Sequence, residues 1–312
     1  MNEDRYRQAE QALWKAQPLE PSERRVSLAS GPTVRVQEVG DGPPVLFVHG
    51  SPNSGSTWVP MLGPVVPAYR CILVDRPGTG LSEPYAAGTL TSESLPVLAD
   101  RFLSDVLDAL DISRAHIVAS SFGGYLSLRS AAAHPDRVDR MVQMGAPAFL
   151  PGMQVPAFMK LMTFGAVRWV ANALPPNPRT ARMMLKQTGH KASVEAGRIP
   201  EVLLDWSLSL QRDTDTMRNE TAMIGEVGSF RGFGRDFTIT DDICKAVAAP
   251  TLFIWGDNDV FGGLDAARAL INRLPDASLE VFPASGHLPW LDDPDRAGKL
   301  TASFLGGSAA NP

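Results

Sequence analysis

Short apolar runs alternate with longer amphipathic segments along most of the chain. Some runs are apolar at every position, for example residues 45–48 and 252–255, as expected for strands buried on both faces of a sheet. This rhythm predicts an α/β fold in which helices cover both faces of a mostly parallel sheet. The predicted strands are 24–29, 33–38, 44–48, 70–75, 115–120, 138–144, 250–256 and 278–282, and the predicted helices are 92–110, 121–133, 264–274 and 294–305.

The alternation of apolar runs and amphipathic segments stops between residues 148 and 246. This span has helix-like segments, no clear strand pattern and several Pro/Gly breaks. We therefore predict a helical insertion at 148–246, with a core domain formed by 1–147 and 247–312. Trp206 in this insertion faces either the insertion's own core or the substrate, and it is our candidate substrate-binding residue.

Composition and charge limit the classes of binding partner that we expect for this protein. A net charge of −5, without blocks of Lys and Arg, argues against a nucleic-acid partner. The N-terminus lacks the apolar region of a secretory signal, and no stretch approaches the roughly 18 apolar residues that span a bilayer. We therefore expect a cytoplasmic protein with a small-molecule substrate and no stable membrane insertion; a homodimer is left open. The two cysteines, Cys71 and Cys244, are too few for a disulfide framework.

The strongest chemical signal lies at residues 115–125, where an apolar run ends in a turn with a central serine and leads into a helix. A nucleophilic serine on such a sharp turn needs small residues two positions before and two positions after it. Counted from Ser121, these positions hold Ala119 and Gly123; counted from Ser120, they hold a valine and a phenylalanine. The register therefore predicts Ser121 as the nucleophile.

A serine hydroxyl needs an adjacent base to take its proton, and five histidines are available. His287 lies in a loop after the last predicted strand, at the sheet edge where Ser121 also lies. His116 is at the opposite end of its strand, His134 closes a helix, and His190 lies in the insertion with no acid partner evident. We predict His287 as the general base.

The base needs an acid that holds its tautomer and stabilises the imidazolium. Residues 255–259 follow a predicted strand and contain Asp257 and Asp259. Asp257 is expected to cap the turn by accepting hydrogen bonds from backbone amides. We therefore predict Asp259 as the acid that orients His287.

A negatively charged oxygen that develops during the reaction needs donors that are fixed in advance. One is the backbone N–H of Phe122, the residue after the predicted nucleophile. The other is expected from the loop after the 44–48 strand, most simply the N–H of Ser51, since Gly50 allows the backbone to approach closely.

These motifs together resemble the α/β-hydrolase superfamily, in its serine-nucleophile branch with a helical cap. The matching segments are 49–52, 75–82, 119–124, 256–259 and 286–289, within a resemblance that extends from about residue 24 to 306. The resemblance implies an eight-stranded, mostly parallel sheet with helices on both faces. It also implies that 148–246 is a cap, or lid, and that 75–82 is a structural turn near the site. The chain order Ser121, Asp259, His287 is the order of this family.

The resemblance also orders the candidate activities. Related dehalogenases and epoxide hydrolases use an aspartate as the nucleophile, whereas the turn between the 115–120 strand and the following helix carries a serine, Ser121. Family members that cleave carbon–carbon bonds in ring-cleavage products typically carry asparagine before the nucleophile and tryptophan after the histidine; here those positions hold Ser120 and Leu288. We therefore predict a carboxylesterase acting through an acyl-enzyme. Carbon–carbon bond hydrolysis of ring-cleavage-type diketones is the alternative, and a hydrolase-fold small-molecule receptor is a further one. No motif for a phosphate, a dinucleotide or a metal is present, so we expect no cofactor and no metal.

Overall fold

The computed structural model describes residues 1–153, 156, 160–173, 176–229 and 232–307, and an eight-stranded sheet forms its centre. The strands of this sheet are β1 (Ser22–Ser27), β2 (Thr33–Val39), β3 (Pro44–Val48), β4 (Arg70–Val74), β5 (Ala115–Ser120), β6 (Val138–Met144), β9 (Thr251–Gly256) and β10 (Ala277–Phe282). The short strands β7 (Gly228–Ser229) and β8 (Gly232–Phe233) form a separate antiparallel pair. The order across the large sheet is β1-β2-β4-β3-β5-β6-β9-β10. β2 pairs antiparallel with both β1 and β4, and all other neighbours are parallel. The prediction of a mostly parallel eight-stranded sheet is confirmed.

Helices cover both faces of this sheet. The helices of the described residues are α1 (Glu3–Lys15), α2 (Ser94–Ala109), α3 (Ser121–Ala133), α4 (Gly165–Ala173), α5 (Pro178–Leu185), α6 (Lys191–Glu195), α7 (Glu201–Asp213), α8 (Thr216–Val227), α9 (Asp241–Ala246), α10 (Leu264–Ile271), α11 (Pro289–Asp292) and α12 (Pro294–Leu305). Short 3₁₀ helices lie at Gly55–Met61, Pro135–Arg137 and Arg235–Phe237, and a π-helical segment at Lys186–His190 joins α5 to α6.

The strand residues divide between two layers of the core. In β3, Leu46 and Val48 are buried in the layer that contains side chains of α2 and α3. Val45 and Phe47 are buried in the opposite layer, with side chains of Gly55–Met61, α11 and α12. Successive side chains of a strand point to opposite faces, so a run that is apolar at every position supplies both layers at once.

The N-terminal helix α1 is fixed to the core by buried charges. Glu10 of α1 forms an ion pair with Arg35 of β2, whose Nη1 also lies 3.2 Å from Oδ2 of Asp75. The Tyr6 hydroxyl donates to Glu10 at 2.9 Å. Removing one partner from a buried ion pair typically costs about 3–5 kcal/mol, because the other charge stays buried without compensation, so Glu10 and Arg35 each require the other in this position.

The chain between β6 and β9 contains α4 to α9 and places α8 over the turn that follows β4. Asn219 donates to the carbonyl oxygen of Gly78 at 2.8 Å, and the Thr216 hydroxyl accepts from the N–H of Gly80 at 2.9 Å. The insertion predicted at 148–246 includes residues 154–155, 157–159, 174–175 and 230–231, which lie outside the described residues. The division into core and cap therefore stays a prediction. Within the described ranges, no helix has the length and apolar character needed to cross a membrane.

Candidate active site

Ser121 stands at the junction between β5 and α3 in a strained backbone conformation. Its φ angle is +52°, in the left-handed region that residues with a side chain rarely adopt. The fit around it is tight: a Cβ added to Gly50 would lie 2.7 Å from the Cβ of Ser121, and one added to Gly123 would collide with the carbonyl oxygen of Val48. The neighbouring Ser120 is fully buried and its hydroxyl has no hydrogen-bond partner. The structure thus presents Ser121, which is partly exposed, and turns Ser120 into the interior.

Two backbone segments lie next to Ser121, the first turn of α3 and the loop after β3. Helix α3 begins at Ser121, so the N–H of Phe122 belongs to the first turn, whose donors have no partner within the helix. The loop after β3 brings Gly50, and with it the predicted donor Ser51, against Ser121. The contact with Ser121 is thus made by Gly50, and the roles of the Phe122 and Ser51 N–H groups as oxyanion donors stay predictions.

The loop at 49–51 is held in place by Arg76, a contact that the sequence did not predict. The Arg76 guanidinium donates to the carbonyl oxygens of His49 at 2.9 Å and Gly50 at 3.2 Å. It also pairs with Glu220 of α8 at 2.7 Å, and Glu220 in turn accepts from the Ser51 hydroxyl. Sequence reasoning missed the contact between Glu220 and Arg76, because nothing local marks which residue of an amphipathic helix will meet a turn 144 positions earlier.

His49 is excluded as a base by its own contacts. Its Nε2 accepts from the Arg76 N–H at 3.1 Å, and its Nδ1 lies 2.7 Å from the carbonyl oxygen of Gly50. Burial and the neighbouring Arg76 charge hold its pKa well below the usual histidine value. His49 is therefore a neutral, structural side chain that shapes the loop.

Asp259 and His287 form a direct hydrogen-bonded pair. The Nδ1 of His287 lies 3.0 Å from Oδ1 and 2.9 Å from Oδ2 of Asp259. The same carboxylate accepts from the N–H of Ala146 at 2.8 Å and of Phe261 at 2.9 Å. Burial alone would raise the pKa of this carboxyl, but the charge and hydrogen bond of His287 and the two backbone donors hold it below its ordinary value.

Asp257 has a different environment. It is exposed, and its Oδ1 accepts from the N–H of Ser285 at 3.2 Å and from the side chain of Asn258 at 3.0 Å. These contacts stabilise the turns after β9 and β10 and leave Asp257 without a contact to His287.

The loop after β6 connects the serine to this pair. The N–H of Ala148 donates to the carbonyl oxygen of Ser121 at 2.9 Å. Gly145, with φ of +70°, lies so close to His287 that an added Cβ would collide with its carbonyl oxygen. Ser121 and His287 therefore flank the same short loop. They form no hydrogen bond with each other here, and in hydrolases without substrate such a contact is often long and tightens only when substrate binds.

A cavity of about 240 Å³ is lined on one side by Phe122. Its lining is mostly apolar and includes Leu95, Phe102 and Met223, and its charged lining residues are Arg76, Glu220 and Glu226. Among the described residues, no three side chains of His, Cys, Asp or Glu come together as metal ligands.

Trp206, which the sequence analysis offered as a candidate substrate contact, does not line this cavity. The side chain is 1% exposed and belongs to the buried layer shared by α1, α7 and the sheet. The physical reason is that α7 packs on α1, so the apolar face of α7 is covered by the N-terminal helix. Of the two orientations left open, the structure therefore favours packing.

This chain is similar to known proteins in its sequence and in its fold. The profile of a family described as alpha/beta hydrolase fold matches residues 43–294. A 2-hydroxy-6-oxononadienedioate/2-hydroxy-6-oxononatrienedioate hydrolase from Cupriavidus pinatubonensis is 30% identical over 84% of this chain and 86% of that protein. A 2-hydroxy-6-oxo-6-phenylhexa-2,4-dienoate hydrolase from Burkholderia cepacia is 28% identical over 87% of this chain and 91% of that protein. Among solved structures, a carboxylesterase from Bacillus subtilis superposes with a TM-score of 0.74 at 20% identity, covering 98% of this chain and 99% of that one, which shows a shared fold.

Proposed function

This chain belongs to the alpha/beta hydrolase family, and we propose that it is a serine hydrolase with Ser121 as nucleophile, His287 as general base and Asp259 as the acid that orients the base. The observation that carries the proposal is the hydrogen-bonded Asp259–His287 pair across a short loop from a serine with φ of +52°. A strained, partly exposed serine beside such a pair is the arrangement that activates a hydroxyl for attack on a carbonyl.

The proposed reaction proceeds through an acyl-enzyme. Ser121 Oγ attacks the carbonyl carbon while His287 Nε2 takes its proton, and Asp259 stabilises the resulting imidazolium. The backbone N–H groups of Phe122 and Ser51 donate to the oxygen that becomes negative. His287 then delivers its proton to the leaving group, and water repeats these steps on the acyl group.

The substrate class that we propose is a 2-hydroxy-6-oxodienoate, cleaved at a carbon–carbon bond. The two curated relatives act, by their names, on compounds with a 6-oxo group on a dienoate chain, and they match this chain over more than four fifths of its length. Such compounds contain no ester. The substrate must therefore first take its 2-oxo form, in which the proton of the C2 hydroxyl has moved to C5. Transfer of the C6 acyl group to Ser121 then breaks the bond between C5 and C6, and the electron pair left on C5 is delocalised through C3 and C4 onto the C2 oxygen, which takes the proton held by His287. This places the alternative of the sequence analysis ahead of its carboxylesterase prediction.

Ester hydrolysis is the second candidate, and the residues next to the proposed nucleophile and base favour it. The cavity beside Phe122 is lined by neither Ser121 nor His287, so its charges do not decide between the two substrate classes. Ser120 and Leu288 depart from the asparagine and tryptophan expected of the carbon–carbon bond hydrolases. An ester would use the same nucleophile, base and acid.

Two serine variants and two substrates test these proposals. Ser121→Ala is expected to abolish labelling by a fluorophosphonate and all turnover, whereas Ser120→Ala retains both. A labelled Ser121→Ala protein would refute the assignment of the nucleophile. 2-Hydroxy-6-oxo-6-phenylhexa-2,4-dienoate and 4-nitrophenyl acetate then separate the candidates: a higher kcat/KM for the dienoate supports carbon–carbon bond cleavage, and turnover of the ester alone rejects it.

A further inference from the structure

The loop that carries His287 is bound on its outer side by a segment of the chain between β6 and β9. The N–H of His287 donates to the carbonyl oxygen of Thr188 at 3.0 Å. The N–H of the next residue, Leu288, donates to Nε2 of His190 at 3.2 Å. Two successive backbone groups at the proposed base are therefore held by residues about one hundred positions away in sequence, as the separation of 98 between Leu288 and His190 shows.

His190 is itself fixed on both ring nitrogens. Its side chain is fully buried, and its Nδ1 lies 2.8 Å from Oδ2 of Asp292. Because Nε2 accepts the Leu288 N–H, that nitrogen carries no proton, so the hydrogen-bond network assigns the proton to Nδ1, which donates to Asp292. The sequence showed no acid partner for His190, and Asp292 is that partner.

Asp292 closes the network back onto the same loop. The carboxylate accepts from the N–H of Gly286 at 2.9 Å and from the hydroxyl of Ser193. Burial would raise the pKa of Asp292, but the hydrogen bond from His190, together with those from Ser193 and Gly286, lowers it below the ordinary value. The two residues next to His287 in sequence therefore both donate a backbone hydrogen bond to this pair, Gly286 to Asp292 and Leu288 to His190.

The backbone around Gly189 allows this close contact. Gly189 has φ of +97°, and a Cβ added there would lie 2.8 Å from Cα of Gly286 and would collide with the carbonyl oxygen of Asn258. The segment 188–190 therefore lies between the loop that carries Asp259 and the loop that carries His287. A glycine permits both the conformation and the approach.

We propose that His190 and Asp292 are positioning residues that hold the His287 loop in the geometry needed for catalysis. The inference rests on the proposed roles of Ser121 and His287. The imidazole must meet Asp259 on one side and receive the Ser121 proton on the other, and a misplacement of about 1 Å at a reacting group can cost on the order of 100-fold in rate. The pair gives the segment between β6 and β9 a direct part in completing the proposed base, separate from any role as a lid.

Two replacements of His190 separate positioning from packing. His190→Gln can place an amide oxygen near the position of Nε2, where it accepts the Leu288 N–H. His190→Asn keeps an amide donor near the position of Nδ1, facing Asp292, and offers nothing to Leu288. Both remove the ring, so both are expected to lower the melting temperature by a similar amount.

The readouts are kcat and KM for 4-nitrophenyl acetate and the second-order rate of fluorophosphonate labelling. We expect His190→Asn to lower kcat and the labelling rate about 10- to 100-fold at unchanged KM. His190→Gln should recover most of that loss, and His116→Gln, a matched change at a half-buried histidine on the opposite end of β5, should leave the rates as in wild type. Equal rates for the Asn and Gln variants, or losses that only follow the melting temperature, would overturn the proposal.

A further variant keeps the test valid if the His190 variants do not fold. Asp292→Asn retains the size of the side chain and weakens its contacts to Gly286 and His190, and it is expected to lower kcat at unchanged KM. Wild-type kcat in that variant would also overturn the proposal. If the wild-type protein itself is not labelled by the fluorophosphonate, the proposed serine hydrolase function fails first, and this outcome is distinct from any result at His190.

Discussion

Replacing Asp259 by asparagine tests the proposed site most sharply, because the hydrogen bonds of this carboxylate dictate the outcome. Oδ2 accepts from Ala146 and Oδ1 from Phe261, and both oxygens lie within 3.0 Å of His287 Nδ1. An asparagine offers one oxygen and one NH₂ group. Whichever way the amide turns, its NH₂ faces one of the two backbone N–H groups, and one buried donor loses its partner.

The expected magnitudes follow from this conflict. A buried donor without a partner costs about 1–3 kcal/mol of folding free energy, which for a chain of this size lowers the melting temperature by about 2–10 °C. The effect on rate is much larger. If the NH₂ faces His287, the proton of the imidazole moves to Nε2, which can then no longer accept the proton of Ser121; in the reference triad of serine proteases this change lowers kcat about 10⁴-fold.

The assay is single-turnover acylation by 4-nitrophenyl acetate, with the melting temperature measured on the same samples. Asp257→Asn is the matched control, since its carboxylate is exposed and accepts hydrogen bonds from Ser285 and Asn258. We expect near wild-type acylation in the control and a loss of several orders of magnitude in Asp259→Asn. Folded Asp259→Asn protein that acylates within tenfold of wild type would refute the reasoning, as would equal losses in the two variants.

Two other predictions concern the buried layers. Trp206→Ala is expected to lower the free energy of unfolding by about 3–5 kcal/mol, because it removes a fully packed aromatic ring, while the ratio of kcat/KM between short and long acyl esters stays unchanged; a shifted ratio in a stable variant would return Trp206 to the substrate pocket. Burial raises the pKa of Cys71 to about 12, so the native protein should show no reaction of this thiol with Ellman's reagent at pH 8 and full reaction after denaturation; rapid labelling of Cys71 in the folded state would contradict its burial.

The sequence by itself determined the strands of the large sheet and the candidate nucleophile, because the rules involved are local, but it gave no sign of the short β7–β8 pair. A run such as 45–48, apolar at every position, predicts a strand that contributes to two core layers, and β3 does so. The choice of Ser121 over Ser120 depends only on the size of residues two positions away, and the structure shows Ser121 partly exposed and Ser120 buried.

Only the tertiary structure decided how the distant parts meet. An amphipathic pattern indicates which face of a helix is buried but not what covers it, so the sequence left two environments open for Trp206 until α1 was seen to pack on α7. The same limit applies to the polar contacts, which have no local signature. Glu220 meets Arg76 across 144 positions, and His190 meets Asp292 across 102, because the chain between β6 and β9 folds back onto the carboxyl edge of the sheet. Hydrogen bonds of this kind depend on where a backbone returns in space, which no pattern of neighbouring residues records.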